Sequence, residues 1–228
     1  MREMKAAKGI ADAYDFIAYD RFRYKGATAV TTNTQSLFTV GVGQSQAVAN
    51  SAGETYIKDR FDTNLQDGNR LPRGNFLVVQ SIQAFITISG ETDTTYPTSG
   101  VGTELPTNPA AAATISGVNL MRAIMDQTYI QFWCGEKAYE EGLVAHFPSE
   151  FGISGFAGSG ESGNTTAIVG SQTAINNGFG RPRILQVQRL IPELVNFRMD
   201  VRHLQAFTAT RQFTLGVLLR GVLIRPVQ

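Results

Sequence analysis

With 228 residues, only 17% of them charged, and a net charge of +1, the chain is long enough to bury a sizeable core in one domain and is compositionally unlike a helical bundle. Its 14 Phe and 7 Tyr exclude global disorder, and its single cysteine excludes an intrachain disulfide, as suits a chain made in a reducing cytosol. The opening "MREMKAAKGIADAYDF" has no continuous apolar segment of the secretory kind, and no stretch reaches the roughly 18 apolar residues of a membrane-spanning helix.

In chain order, Ala7, Ile10, Tyr14 and Ile17 fall at spacings of three and four. That predicts a short helix over 4–24, which Gly9 weakens and which needs a surface to dock on, its own domain or a neighbouring copy. Residues 26–35 read as an extended linker, so 1–35 forms an N-terminal helical or extended arm. "SLFTVGV" (36–42) is the first strand candidate. Residues 43–68 are polar and mixed and end in "DTNLQDGNRLPRG", which is dense in turn-forming residues. "FLVV" (76–79) has no alternation and reads as buried on both faces. Ile82, Ala84, Ile86 and Ile88 then alternate with Gln83, Phe85, Thr87 and Ser89, a strand whose second face Phe85 marks as partly covered.

Residues 89–118 form a long loop, where Pro97, Pro106 and Pro109 exclude a regular strand. Residues 121–148 read as strand, turn, strand, with Ile130, Phe132 and Cys134 on one face and Trp133 on the other. A second Gly-rich loop covers 151–180 with a short strand at "TAIV". Strands follow at 184–190, at 197–203 (Phe197, Met199 and Val201 against Arg198, Asp200 and Arg202) and at 213–228. About eight strands with no strong helix after residue 24 predict an all-β antiparallel sandwich over 36–228.

The chemistry-bearing residues form no catalytic, cofactor or metal constellation. Gly158, Gly160 and Gly163 match dinucleotide-binding glycine spacing but lack the strand-to-helix context that cradles phosphates. Cys134 and His146 would make a thiolate–imidazole pair only if their strands brought them together, and the apolar run around Cys134 favours a packing role. His146, His203 and one cysteine fall short of a zinc ligand set. Glu136, Glu140 and Glu141 sit around a turn beside Lys137, where a solvated face outweighs a glycosidase pair. Asn164–Thr166 fits a glycosylation acceptor by pattern only. The expectation is a protein that is not an enzyme.

Charge is unevenly spread. Residues 91–170 hold nine acids against Arg122 and Lys137, whereas 181–228 hold eight arginines against Glu193 and Asp200. Arginines strung singly along strands predict a solvated face or a contact between copies, with nucleic acid as the lesser alternative partner. Trp133, Tyr129 and Tyr139 offer an aromatic platform for a carbohydrate or receptor, unless Trp133 packs between the sheets.

Three stretches, "DTNLQDGNRLPRGNFLVVQSIQAFI", "YIQFWCGEKAYEEGLVAHFP" and "RQFTLGVLLRGVLIRPVQ", together resemble virion structural proteins of bacterial viruses of the jelly-roll capsid type. The resemblance covers roughly the last two-thirds of the chain and is one of pattern. It implies a jelly-roll sandwich that assembles with copies of itself and other virion proteins, a location in the virion after synthesis in the host cytoplasm, and an arm that ties neighbours together. A double roll needs about sixteen strands, so a single roll fits better.

Overall fold

The computed structural model describes residues 11–88, 113–115, 117–149, 158–161, 168–171, 182–209 and 211–226. The chain runs through β1 (Ala11–Tyr24), β2 (Ala29–Val30), β3 (Gln35–Leu37), β4 (Ser45–Ala47), β5 (Thr55–Ile57), β6 (Phe76–Ile88), β7 (Ala113–Ile115), α1 (Gly117–Gln127), β8 (Thr128–Cys134) and β9 (Lys137–Leu143). A 3-10 turn at Val144–His146 leads on to β10 (Gly158–Glu161), β11 (Ile168–Ser171), β12 (Arg183–Ile191), β13 (Phe197–His203), β14 (Phe207–Ala209) and β15 (Phe213–Pro226).

The body is a sandwich-like pair of antiparallel four-stranded sheets, ordered β1-β15-β6-β12 and β3-β13-β8-β9. A small sheet β2-β14-β7 and the hairpins β4-β5 and β10-β11 accompany them. Period-two alternation puts one face of each sheet inward. In the first sheet Ala18, Phe22, Tyr24, Ile82, Ala84, Leu215, Val217 and Leu219 are buried, and in the second Leu37, Ile130, Phe132, Phe197, Met199 and Val201 are. Fully burying each of the Val, Leu, Ile, Phe and Met side chains among them stabilises the fold by about 1.5–3 kcal/mol relative to exposure. Tyr24 stacks on Phe213 at 4.4 Å between ring centroids.

Several expectations need correcting. Residues 11–24 are a strand, not a helix: all of β1 pairs with β15, from Ala11 opposite Pro226 to Tyr24 opposite Phe213. The helical spacing is overridden from Ala18 onward by an inward row of Ala18, Asp20, Phe22 and Tyr24, with Tyr19, Arg21 and Arg23 outward. Thus residues 11–24 of the arm are built into a main sheet; residues 1–10 lie outside the described residues. The first predicted strand ends early, because Phe38 adopts φ 67° and turns the chain after β3. Residues 76–79 alternate after all, with Leu77 and Val79 buried and Phe76 and Val78 half-buried. Residues 117–127 form a helix in place of the expected strand start, and bury Leu120, Ala123 and Ile124 at helical spacing. Ser89 and most of both long loops lie outside the described residues. Among the described residues no helix is long and apolar enough to cross a membrane.

The two open sides of the sandwich are closed differently. Beside β1 and β3 lies the segment 38–71. Arg21 N–H donates to Asp62 O at 3.0 Å, Val42 N–H to Leu65 O at 2.8 Å, and Asn69 N–H to Phe38 O at 2.6 Å. Beside β9 and β12, Glu140 meets Arg183 at 3.1 Å and Arg189 at 3.8 Å. Arg189 lies over the Tyr139 ring and Arg183 over Phe147.

Candidate functional site

The described residues most unlike ordinary sandwich packing lie where β1 meets the 38–71 segment. Asp20 occupies an inward position of β1, between Ala18 and Phe22, where the pattern calls for an apolar residue. Lys58, just after β5, reaches it with Nζ 2.5 Å from Oδ1, and both side chains are fully buried. The other carboxylate oxygen, Oδ2, accepts the backbone N–H of Phe38. Phe38 holds φ 67°, a left-handed conformation that costs a bulky L-residue of order 1–3 kcal/mol and that the surroundings must enforce. Its ring is fully buried, 5.5 Å from Phe197. Burial pushes the Asp20 carboxyl up to about 6, against the opposing charge and hydrogen bond of Lys58.

On the outward side of the same strand, Arg21 and Arg23 grip Asp62 at 2.9 and 2.7 Å. Burial raises the Asp62 carboxyl, but the hydrogen bonds from Arg23 and Arg21 outweigh it, and the net position is below the ordinary carboxylate range. Two carboxylates at this junction, Asp20 on β1 and Asp62 on the segment, are therefore shifted in opposite directions. A polar recess of about 300 Å³ is lined by residues of this segment, including Thr39, Asp67, Asn69 and Arg70, and by Asn196.

A second assembly covers the outer face of the β3-β13-β8-β9 sheet. Cross-strand register sets Trp133 opposite Arg198, Gln131 opposite Asp200 and Tyr129 opposite Arg202. Arg198 lies over the Trp133 ring at 4.8 Å and pairs with Asp200 at 3.0 Å. Trp133 Nε1–H donates to Gln131 Oε1 at 3.1 Å, and Gln131 Nε2–H to Glu141 Oε2 at 2.8 Å. The hydrogen bond with Glu141 pushes the Tyr129 phenol up to about 12. Trp133 therefore does not pack between the sheets; Phe132 does. Tyr139 is set apart from this face, beneath Arg189.

The residues weighed from sequence fall separately. Cys134 ends β8 beside the turn, half-buried, with its thiol raised by burial. His146 lies beyond the other end of the β8–β9 hairpin, and the five-residue span from Tyr129 to Cys134 alone is about 17 Å, so the two do not pair. Glu140 turns to the arginines of β12 while Glu141 joins the outer face, which splits the carboxylates. Glu136 is exposed in the turn. Gly158 and Gly160 lie in β10, paired with β11, and no helix directly follows β10 among the described residues; Gly163 and Asn164–Thr166 are outside them. Arg183, Arg189 and Arg198 of the basic C-terminal quarter are engaged by acids of this chain, and Arg225 lies over Tyr14. No group of three or more metal-ligating side chains occurs among the described residues.

His203 is buried. Its Nδ1 is 2.8 Å from Thr128 Oγ1 and its Nε2 is 3.1 Å from the Tyr24 hydroxyl. A neutral imidazole serves both as one donor and one acceptor. Burial lowers its pKa from 6.5 to about 4. A depressed folded value means the unfolded chain binds the proton more readily, so stability present above pH 6.5 is lost as pH falls toward 4. Urea-unfolding free energies measured across that range should fall by roughly 3 kcal/mol more in the natural protein than in a His203→Gln variant. Parallel profiles for the two would contradict this.

No family model matches the chain, and neither a curated protein nor a solved structure is significantly similar to it.

Proposed function

We propose that the chain is a virion structural protein of a bacterial virus, built on a single jelly roll and assembling with copies of itself in the shell or an accessory position. The nested strand pairing carries this reading. Taking β1, β3, β6, β8, β9, β12, β13 and β15 as strands one to eight, one sheet reads one-eight-three-six and the other two-seven-four-five. First pairs with last, second with seventh, third with sixth and fourth with fifth. This nested pairing supports the jelly-roll reading, since a ribbon folded over on itself into a double Greek key would pair its strands in this way, and that winding recurs in viral capsid proteins, lectins and cupins. A shared fold does not choose among those roles. The choice of capsid protein comes from the three sequence stretches, which fall on β6 and its approach, the β8–β9 hairpin, and β15.

Self-association also has a surface to use. Along the edge strand β12, Ile184, Val187 and Leu190 are 67%, 62% and 53% exposed. An edge strand that presents aliphatic side chains is prone to pairing with another chain. Sedimentation and electron imaging of the native protein should reveal a symmetric multimer. Val187→Lys should shift it toward smaller species at unchanged melting temperature. A protein that stays monomeric at high concentration and in host lysates would overturn the proposal.

A second reading, a carbohydrate- or receptor-binding sandwich, is favoured by the outward Trp133 and its polar surround. Flat aromatic faces beside hydrogen-bonding groups suit sugar rings. On a glycan array it predicts binding that Trp133→Ala removes with the fold retained, and a silent array would count against it.

A further inference from the structure

We infer that Asp20 and Lys58 are the partners of an intramolecular isopeptide bond that ties β1 to the segment following β5. The inference goes beyond assembly and does not depend on it. Three observations converge on the pair. The amine nitrogen and a carboxyl oxygen lie 2.5 Å apart with both side chains fully buried, so neither reacting group is shared with solvent. The remaining carboxyl oxygen is held by the Phe38 N–H, a donor placed where negative charge develops when an amine adds to the carboxyl carbon. That donor is supplied by a bulky residue held in a left-handed conformation, and such strain concentrates where geometry is functionally constrained.

The step balances without a co-reactant. One proton passes from the Lys58 ammonium to Asp20 Oδ1 along their hydrogen bond, giving amine and carboxylic acid. Nζ then adds to Cγ, forming the C–N bond while Oδ2 takes up charge against the Phe38 N–H. The Cγ–Oδ1 bond breaks, Oδ1 leaves as water with a second proton from nitrogen, and the Oδ2 carbonyl is restored as the amide oxygen. Ammonium plus carboxylate becomes amide plus one water, with no net change of charge. The burial that lifts Asp20 toward the neutral acid assists the first proton transfer, and fixing the two groups in contact replaces an encounter in solution. Arg21 and Arg23, beside Asp62, offer no comparable nucleophile, because guanidinium keeps its proton.

The test is the intact mass of the folded, purified full chain recorded under denaturing conditions, followed by proteolysis and tandem mass spectrometry. The expected mass is one water below that of the sequence, with a branched peptide joining Asp20 to Lys58, and Lys58→Met should restore the full mass. A natural chain at its full sequence mass would overturn the inference and leave the pair an ordinary buried ion pair. So would a water lost at Asp67–Gly68, where cyclisation of the aspartyl side chain gives the same mass change.

Discussion

Lys58→Met is expected to lower stability by about 3–5 kcal/mol near neutral pH and to make what remains strongly dependent on pH. The penalty arises in the variant itself. Methionine fills the volume of the lysine stem but leaves the Asp20 carboxylate fully buried with no cation beside it. Burial already holds this carboxyl near 6 against the opposing influence of Lys58, so removing the lysine lifts it further. The folded value then lies far above the unfolded value of 3.8, and the folded state binds the proton more readily. Stability is therefore fully retained below pH 3.8 and is lost as pH rises through the folded value. Urea midpoints across a pH series should show the variant recovering on acidification, opposite in sign to the effect of His203. Adding Asp20→Leu removes the second charge and should recover the part of the loss that comes from the unpaired buried carboxylate, since leaving one charge of a buried pair alone is what destabilises most. A single variant as stable as the natural chain at pH 8 would mean that water reaches this site.

The second large effect is expected at Gly221. The β15–β6 register shifts between Arg220 and Gly221, where β6 carries an extra residue, Gln80. That irregularity brings the two backbones together, so that a Cβ at Gly221 would overlap the Val78 carbonyl oxygen. Both atoms belong to central strands of the same sheet, and neither can retreat without breaking the ladder. Gly221→Ala should cost about 3 kcal/mol, the upper end of the usual overpacking range. Gly216 provides the control on the same strand. A Cβ there would meet the ring of Phe85, a half-buried side chain that can swing aside, so Gly216→Ala should cost only about 1 kcal/mol. Thermal melts of the two variants would check the order, and equal losses would mean the ladder yields as readily as a ring.

Much of the sheet architecture is legible in the sequence because alternation is local. Phe197, Met199 and Val201, or Ile130 and Phe132, declare their face through neighbours two residues away, and the structure buries all five. What eluded sequence reasoning was non-local or disguised. The inward row of β1 contains an aspartate at the position that would have completed its period-two signal, so the upstream spacing of three and four suggested a helix instead. The Leu120, Ala123 and Ile124 spacing of α1 runs straight into the β-prone "TYIQFW", with no glycine or proline at the junction to mark the change. Nothing in "SLFTVGV" announces a left-handed phenylalanine, since that conformation is imposed from outside. Lysine is almost never fully buried unless paired, and no local pattern links Lys58 to an aspartate in a strand made earlier. The same holds for Trp133: its face could be read from the alternation, but the arginine stacked on it belongs to a strand far away in the chain.

Pairing the first long strand with the last also has a bearing on how the molecule comes into being. On the ribosome, Ala11–Tyr24 emerges early; one edge can meet the 38–71 segment, as Arg21 N–H does Asp62 O, but the other finds no partner until Phe213–Pro226 has been made. In the interval that edge is open to any other nascent chain. Closure over so long a loop is slow, and slow closure with an exposed strand invites misassembly. Production of this protein should therefore respond to translation speed, temperature and chaperone supply more sharply than its finished stability would suggest.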